Sequence, residues 1–334
     1  MITVLGTALV FAMSLLMSGL SNGFDVEIAR TLRQTGGTRW IAPAAAVGPF
    51  TAGINIDVDA FEAIEAAGPI AGVRRADPVL FTRSVALVDG DPVDINLFGT
   101  RPGGLGAPVP SDGRAPQTAG EVLVARRLAR TGDSISILGN DYVVVGTVSR
   151  ASLFASPSAF VTLTEAQRLV SGGDNRASMI VTDGTPTALP AGLHAFDVDQ
   201  VATDLGRPLK NATSSIDLIR FLLWAVAALI VASVIHLSAM ERTRDFAVFK
   251  ATGSSTAAIC LGLMLQAVTI ALAASAIGAA LATLIAPRFP MDVSISRGAI
   301  LFLPALAVGV GILASLIGLR RIATVEPAAA FGGP

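Results

Sequence analysis

The chain has 334 residues, of which 52% are hydrophobic and 15% charged, at a formal net charge of −1. With a mean hydropathy of +0.65 it is too apolar for an ordinary soluble protein and too mixed for one made only of membrane helices, so part of it spans a bilayer and part does not. The lone cysteine, Cys260, rules out an intrachain disulfide and lies inside an apolar run, where it reads as a small packing residue without thiol chemistry.

In chain order, the first element is the apolar segment Ile2–Leu20, read as transmembrane helix 1 (residues 1–20). It lacks the basic flank of a secretory signal peptide and exceeds the apolar core of one, so it is expected to remain as an uncleaved anchor. An extracytoplasmic insert follows, residues 21–217, carrying 16 Lys and Arg against 21 Asp and Glu. Its opening keeps Phe24, Ile28 and Leu32 four apart, which extends the helix outward as a stalk until Gly36-Gly37 stops it. At the far end Val201, Leu205 and Leu209 repeat that spacing, with Pro208 breaking or kinking the helix.

Between the stalks the pattern predicts a strand at Arg39–Ala42, a helix at Val58–Ala67 ended by Gly68-Pro69, and strands Val79–Val88 and Val93–Thr100 joined around Asp89-Gly90. The stretch Pro102–Thr118, with four Pro and four Gly, forbids regular structure and marks a long loop or a boundary between two lobes. Beyond it come a strand at Glu121–Ala125, a short helix around Arg126–Arg130, and a hairpin with its turn near Gly139-Asn140. Strands at Ala159–Leu163 and Ser178–Thr182 and a helix at Thr164–Val170 complete an α+β reading.

A bilayer needs about 20 apolar residues per helix, which residues 218–239, 257–285 and 299–319 supply. Residues 240–256 and 286–298 connect them, and 320–334 form a tail. The expected fold class is an α-helical membrane protein with four transmembrane helices and an α+β extracytoplasmic domain, two-lobed, inserted between helices 1 and 2. Small residues recur every fourth position, Ala274, Gly278 and Ala282 in the third span and Ala307, Gly311 and Ser315 in the fourth, a pattern that lets backbones approach closely. Gln266 is expected to hydrogen-bond between helices, and Trp224 to sit at the outer membrane interface.

Catalytic constellations are missing from the sequence. No Walker motif occurs, and the only lysines, Lys210 and Lys250, follow no glycine-rich loop, so any ATP is bound by another subunit. Two histidines leave little room for a metal site or a catalytic triad. In a strand, His194 faces with Phe196 and away from Asp197, and His236 lies in the second span, where it reads as a packing or interfacial residue. Asp57/Asp59 and Asp89/Asp91 stand where helix caps and turns need Asp. Asn211-Ala212-Thr213 matches a glycosylation sequon. No catalytic residue, resident cofactor, metal or nucleic-acid partner is expected.

The distinctive stretch is ERTRDFAVFKATG, Glu241–Gly253, a charged island between the second and third spans. Arg242, Arg244 and Lys250, with Arg320 and Arg321 after the last span, outnumber Arg288 and Arg297 of the opposite loop, which puts island and C-terminus in the cytoplasm and the insert outside. As a helix the island is about 16 Å long, at ~1.5 Å per residue, with Glu241–Arg244 and Arg242–Asp245 paired and Phe246 and Phe249 on one face. Gly253 ends it and Ser254 or Ser255 caps the next span. Exposed phenylalanines there suit either a docking element or burial among lipid headgroups.

ERTRDFAVFKATGSS resembles the signature of the FtsX/MacB/LolE-type permeases, four-span subunits of ABC transporters also called mechanotransmission systems. The ending TVEPAAAF and the stretch EVLVARRLA…GDSISILGNDYVVVGTV resemble further segments of that family, and the likeness is closest to actinobacterial exporter-type members. The resemblance implies a homodimer, or a heterodimer with a sibling permease, in the plasma membrane, bound to two copies of an ABC ATPase that hold ATP and Mg. It also implies that Glu241, Arg242, Arg244, Asp245, Phe246, Phe249, Lys250 and Gly253 form the ATPase-coupling segment, with the phenylalanines as anchors and the basic residues setting orientation. The basic amphipathic helix that usually precedes the first span in this family is absent here. The implied function is export or extraction of a hydrophobic or amphiphilic solute; the alternative is an FtsX-like regulator of an extracellular cell-wall hydrolase, which usually carries a smaller outer domain.

Overall fold

The computed structural model describes residues 2–54, 56–67, 70–242, 245–246, 248–249, 252–289 and 293–322. Two compact units form, Met1–Gly23 with Asn211–Pro334 and Phe24–Lys210, and helix α1 (Ile2–Thr35) contributes to both.

In the Phe24–Lys210 unit, α1 buries Phe24, Ile28 and Leu32, and Gly36 at φ +66° ends it. There follow β1 (Arg39–Pro43), β2 (Ile56–Asp57), α2 (Val58–Ala67), β3 (Val73–Val88), β4 (Asp91–Thr100), β5 (Asp112–Gly113) and β6 (Glu121–Ala125). Next come β7 (Ser134–Ile137), β8 (Asn140–Val148), β9 (Ser152–Leu153), β10 (Ser156–Thr162), α3 (Leu163–Val170), β11 (Arg176–Ala177), β12 (Met179–Gly184), β13 (Leu193–Phe196) and α4 (Val198–Gly206). The main sheet runs in the order β13-β1-β12-β3-β4-β10-β6-β8-β5, with β7 against β3 and β8, β9 against β10, and β11 pairing β2 separately. Among the described strands only the β4–β10 and β6–β8 pairs are parallel.

Both sheet faces are buried, which explains the unbroken apolar runs in its strands. Val79, Phe81, Phe98, Leu123 and Phe160 point into one cluster, while Leu80, Leu97, Val122, Val124 and Val161 point into another. Phe50, Phe81, Phe98 and Phe160 pack in succession at ring separations of 5.0 Å, edge-on, tilted and stacked in turn, a spacing at which aromatic pairs attract beyond their buried area. Both predicted hairpins form: Asp89 and Gly90 (φ +52° and +89°) turn β3 into β4, and Leu138 and Gly139 (φ +50° and +76°) turn β7 into β8, the double positive φ that a tight two-residue hairpin turn requires.

Two local expectations are corrected. Strand β3 begins at Val73 rather than Val79, because Ala76–Pro78 pair with β12 despite Pro78 and the charges around it. The helix expected at Arg126–Arg130 does not form: the Arg126 amide donates to the Val148 carbonyl, and the Arg130 amide to Asp133 Oδ2 at 2.7 Å, leaving a turn. His194 does lie in a strand, β13, which stops at Phe196 because Asp197 caps α4 in a reciprocal pair with Gln200. His194 still packs edge-on to Phe196 at 4.8 Å.

The other unit holds the first part of α1 with α5 (Lys210–Glu241), α6 (Thr256–Ile285) and α7 (Arg297–Ile322). Among the described residues three stretches are long and apolar enough to cross a membrane, Thr3–Thr35, Val198–Glu241 and Thr256–Arg288; the described apolar stretch of α7, Arg297–Leu313, is shorter. In this unit small residues are buried beside Phe11, Leu15 and Leu16, and many large apolar side chains stay exposed. Ala8, Ala227, Ala271, Ala274, Ala282 and Ala307 are fully buried, while Leu9, Phe221, Leu229, Leu284 and Leu301 are more than half exposed. Small residues inside and large apolar ones outside are what lipid-facing helices need.

The small-residue ridges lie at helix contacts. A side-chain carbon added at Gly278 meets the Ala8 carbonyl of α1 at 2.7 Å, and one at Gly311 meets Val268 Cα of α6 at 2.9 Å. Polar groups of the bundle pair with one another: Trp224 Nε1 donates to Ser14 Oγ at 2.7 Å, so this indole is satisfied between helices. Arg220 lies 5.5 Å over the same ring and pairs with Asp217 at 3.1 Å. Asn22 Nδ2 donates to the Ser294 carbonyl at 2.8 Å, tying the α6–α7 connection to α1.

Candidate functional site

The island between α5 and α6 continues as helix in its described residues. The Arg242 amide donates to Ser238, Phe246 to Arg242 and Thr252 to Val248, at 3.0–3.2 Å. Gly253 at φ +96° ends the run, and the Ser254 amide reaches back to the Phe249 carbonyl at 2.8 Å. That bond, six residues closed on a left-handed glycine, satisfies a carbonyl the helix end would otherwise orphan. Ser255, not Ser254, caps α6, its side chain accepting from the Ala258 amide.

The two phenylalanines that share a predicted face have different surroundings. Phe246 is half-buried, packed against the apolar cluster that α5 and α6 form with Ile235, Ala239, Ile259 and Leu263 among its members. Phe249 is 52% exposed, and its neighbour Val248, which the sequence reading passed over, is 47% exposed. Glu241, Arg242 and Asp245 are exposed beside them. Arg244 and Lys250 lie outside the described residues, and with them the expected Glu241–Arg244 pair. A groove of about 350 Å³ runs from Arg242, Phe246 and Phe249 past Ser254 to Gly262, Leu263 and Gln266 of α6. At its deep end Gln266 Nε2 approaches Ser238 Oγ at 3.5 Å, the interhelical contact expected of it. Among the described residues, Phe246 anchors the island to the bundle, whereas Glu241, Arg242, Asp245, Val248 and Phe249 are presented outward.

The shifted carboxylates belong to the Phe24–Lys210 unit and brace the fold. Tyr142 donates to the buried Glu165 at 2.6 Å, and Arg168 donates to the same carboxylate at 2.7 Å. Arg168 holds Glu165 below the ordinary carboxylate range, and burial raises the Tyr142 hydroxyl. Glu121 is lowered to about 2 by Arg114 first, then by the Gln117 and Thr118 amides; this network fastens the end of the Pro102–Thr118 loop to β6. Buried Asp204 of α4 accepts from the Phe50 amide at 2.9 Å and Thr51 Oγ1 at 2.7 Å, which holds the 48–51 turn. Among the described residues no group of three or more His, Cys, Asp and Glu is placed to bind a metal.

A family model described as "MacB-like periplasmic core domain" matches residues 1–191, and one described as "FtsX-like permease C-terminal" matches residues 218–327. An uncharacterized ABC transporter permease of Mycobacterium tuberculosis is 42% identical over 336 aligned positions, covering 100% of this chain and 95% of the relative. A second permease of that organism is 41% identical over the same shares of each chain. Among solved structures, the periplasmic region of MacB from Actinobacillus actinomycetemcomitans aligns with a TM-score of 0.39 at 12% identity, covering 53% of this chain and 97% of that one. The extracellular domain of the noncanonic ABC-type transporter YknZ from Gram-positive bacteria aligns with a TM-score of 0.33 at 13% identity, covering 53% and 95%.

Proposed function

Since the chain belongs to the FtsX-like, MacB-like family of ABC transporter permeases, we propose that it couples ATP hydrolysis in a separate ATPase chain to motion of its outer domain. The proposed unit is a dimer of permeases, homomeric or with a sibling, with two ATPase copies that bind the ATP and Mg. In the proposed topology four helices cross the cell membrane. Helix α7, at 26 residues and ~1.5 Å each, reaches about 39 Å against a hydrocarbon core of ~30 Å. The basic excess of the island and tail puts both in the cytoplasm and the two-lobed insert outside.

One observation carries the reading: within a single short helix, Phe246 is packed under α5 and α6 while Val248 and Phe249 are turned outward. A partner that seats Phe249 in a pocket gains the buried aromatic anchor typical of binding hot spots. Because Phe246 packs against the apolar cluster shared by α5 and α6, displacement of the island is passed to two spans as a rigid-body push. Arg242 and Asp245 at the rim set orientation and association rate more than affinity. The solute proposed is hydrophobic or amphiphilic, exported or extracted from the outer leaflet.

The test is co-purification of the cognate ATPase with the tagged permease in detergent. Phe249→Ala is expected to release the ATPase while the permease elutes unchanged. Equal recovery of the ATPase by the wild-type and Phe249→Ala permeases rejects the docking role.

A further inference from the structure

Between β8 and β10 the backbone takes a conformation that its residues disfavour. Five non-glycine residues among those described have positive φ, and three of them, Arg150 (+57°), Phe154 (+54°) and Ala155 (+63°), fall within six positions. Phe154 and Ala155 are the two turn residues between Leu153 of β9 and Ser156 of β10, where a tight hairpin calls for Asn-Gly. Left-handed backbone presses a β-carbon against the following carbonyl, and such strain persists only where the surroundings over-determine it.

The turn is held from two sides. On the sheet side, Asn96 Nδ2 donates to the Leu153 carbonyl at 2.6 Å and Arg127 Nη2 to the Ala155 carbonyl at 2.5 Å. The other side is one turn of α1. Glu27, 3% exposed, accepts from Ser152 Oγ at 2.7 Å and from the Ala155 amide at 3.2 Å, and Thr31 Oγ1 reaches the Ser152 carbonyl at 3.5 Å. Asp204 of α4 accepts the same two kinds of donor, an amide and a hydroxyl, but residues 48–51 that it holds have no positive φ. Asp204 therefore braces a relaxed turn, and Glu27 a strained one.

We propose that Glu27 is a latch: the turn stays left-handed while the Glu27 carboxyl group holds the Ala155 amide, and displacement of α1 frees it to relax. Because α1 is one helix from Ile2 to Thr35, its movement is carried to Glu27 undiminished. A shift of about 1 Å takes the Ala155 bond out of hydrogen-bonding range. The backbone strain at Phe154 and Ala155 then opposes re-formation, which gives the contact two discrete states instead of an elastic one. This inference rests on the coupling reading and names the positioning residue that passes motion of α1 to β10, the strand carrying Phe160 of the aromatic row.

Hydrogen exchange of the 150–156 segment, read by mass spectrometry on the full chain in detergent, tests the latch. Glu27→Ala is expected to speed exchange there at least tenfold, and Glu27→Gln, which keeps one acceptor, less. Ala155→Gly removes the penalty of left-handed backbone at that position, so in its background Glu27→Ala should speed exchange less than threefold. Asp204→Ala should leave the segment as in wild type. No acceleration in Glu27→Ala, or equal acceleration with Ala and with Gly at position 155, overturns the proposal; the second result is what a plain structural brace would give. With the cognate ATPase bound, the segment should exchange at least threefold differently between the nucleotide-free and ATP-vanadate states, and Glu27→Ala should abolish that difference. A segment that ignores the nucleotide while the ATPase still co-purifies rejects the latch alone, and loss of the wild-type ATPase complex rejects the coupling reading.

Discussion

Replacing Gly278 by alanine tests how the membrane helices pack. The added carbon stands 2.7 Å from the Ala8 carbonyl oxygen, 3.0 Å from Phe11 Cβ and 3.2 Å from the Ala12 nitrogen. Non-bonded heavy atoms prefer about 3.5–4.0 Å, so α1 and α6 must part by about 0.5–1 Å. A gap of that size forfeits about a quarter to a half of each contact's dispersion energy, along a ridge where Ala8, Phe11, Ala274 and Ala282 are all fully buried. Overpacking of this kind costs about 1–3 kcal/mol, and the helix propensity gained by losing a glycine returns at most about 1 kcal/mol. Gly309→Ala gains the same propensity at a site with nothing within 4 Å, so it serves as the matched control and should be neutral or stabilising. Gly311→Ala, facing Val268 Cα at 2.9 Å, should fall with Gly278→Ala. Unfolding by SDS titration in mixed micelles, followed by tryptophan fluorescence, reads all three. If the Gly278 and Gly309 variants unfold at the same SDS fraction, the close approach of α1 and α6 is wrong.

The island predicts a split between stability and docking: Phe246→Ala should lower the melting temperature, because a half-buried ring leaves a gap in the α5–α6 core, whereas Phe249→Ala should leave it within about 0.5 kcal/mol of wild type while releasing the ATPase. Asp204→Ala strands the buried Phe50 amide and should cost about 2–4 kcal/mol in urea unfolding followed by Trp40 fluorescence, with Asp204→Asn losing less because one acceptor oxygen remains. The carboxylates Glu121, at about 2, and Glu165 have folded values below the ordinary 4.5. Their stabilisation is therefore present above pH 4.5 and is lost as pH falls toward 2. Acid titration of Trp40 fluorescence in a Trp224→Phe background should show a shallower loss across that window in Glu121→Gln, and an unchanged profile would refute the assignment.

What could be read from sequence follows from how local its cause is. Span length is a property of one run of residues, and the first hairpin announces itself through Asp89-Gly90, since the turn itself demands left-handed backbone; the second, expected near Gly139-Asn140, turns one residue earlier, at Leu138-Gly139. The failed helix at Arg126–Arg130 has a distant cause: Val148 of β8 takes the Arg126 amide into the sheet, and a propensity scan has no access to that carbonyl. The first six residues of β3 were hidden in the same way. Arg74, Arg75 and Pro78 look like loop, yet β12 lies alongside, and Asp183 meets Arg74 at 2.7 Å.

The island divides along the same line. Its charges and its closing glycine are legible, because a membrane boundary and a helix end are set by neighbouring residues. The difference between Phe246 and Phe249 is not, because three positions along a helix turn the side chain by about 300°, leaving the two rings on adjacent parts of one face. Which ring is covered depends on where α5 and α6 bring Ile235, Ile259 and Leu263. That asymmetry matters mechanically. Two exposed rings would let a docked partner rock on the membrane protein, and two buried rings would leave no grip. In the proposed coupling, one of each would make the island a lever with a fixed end in the spans and a free end for the partner, so the free-end variant should uncouple without unfolding.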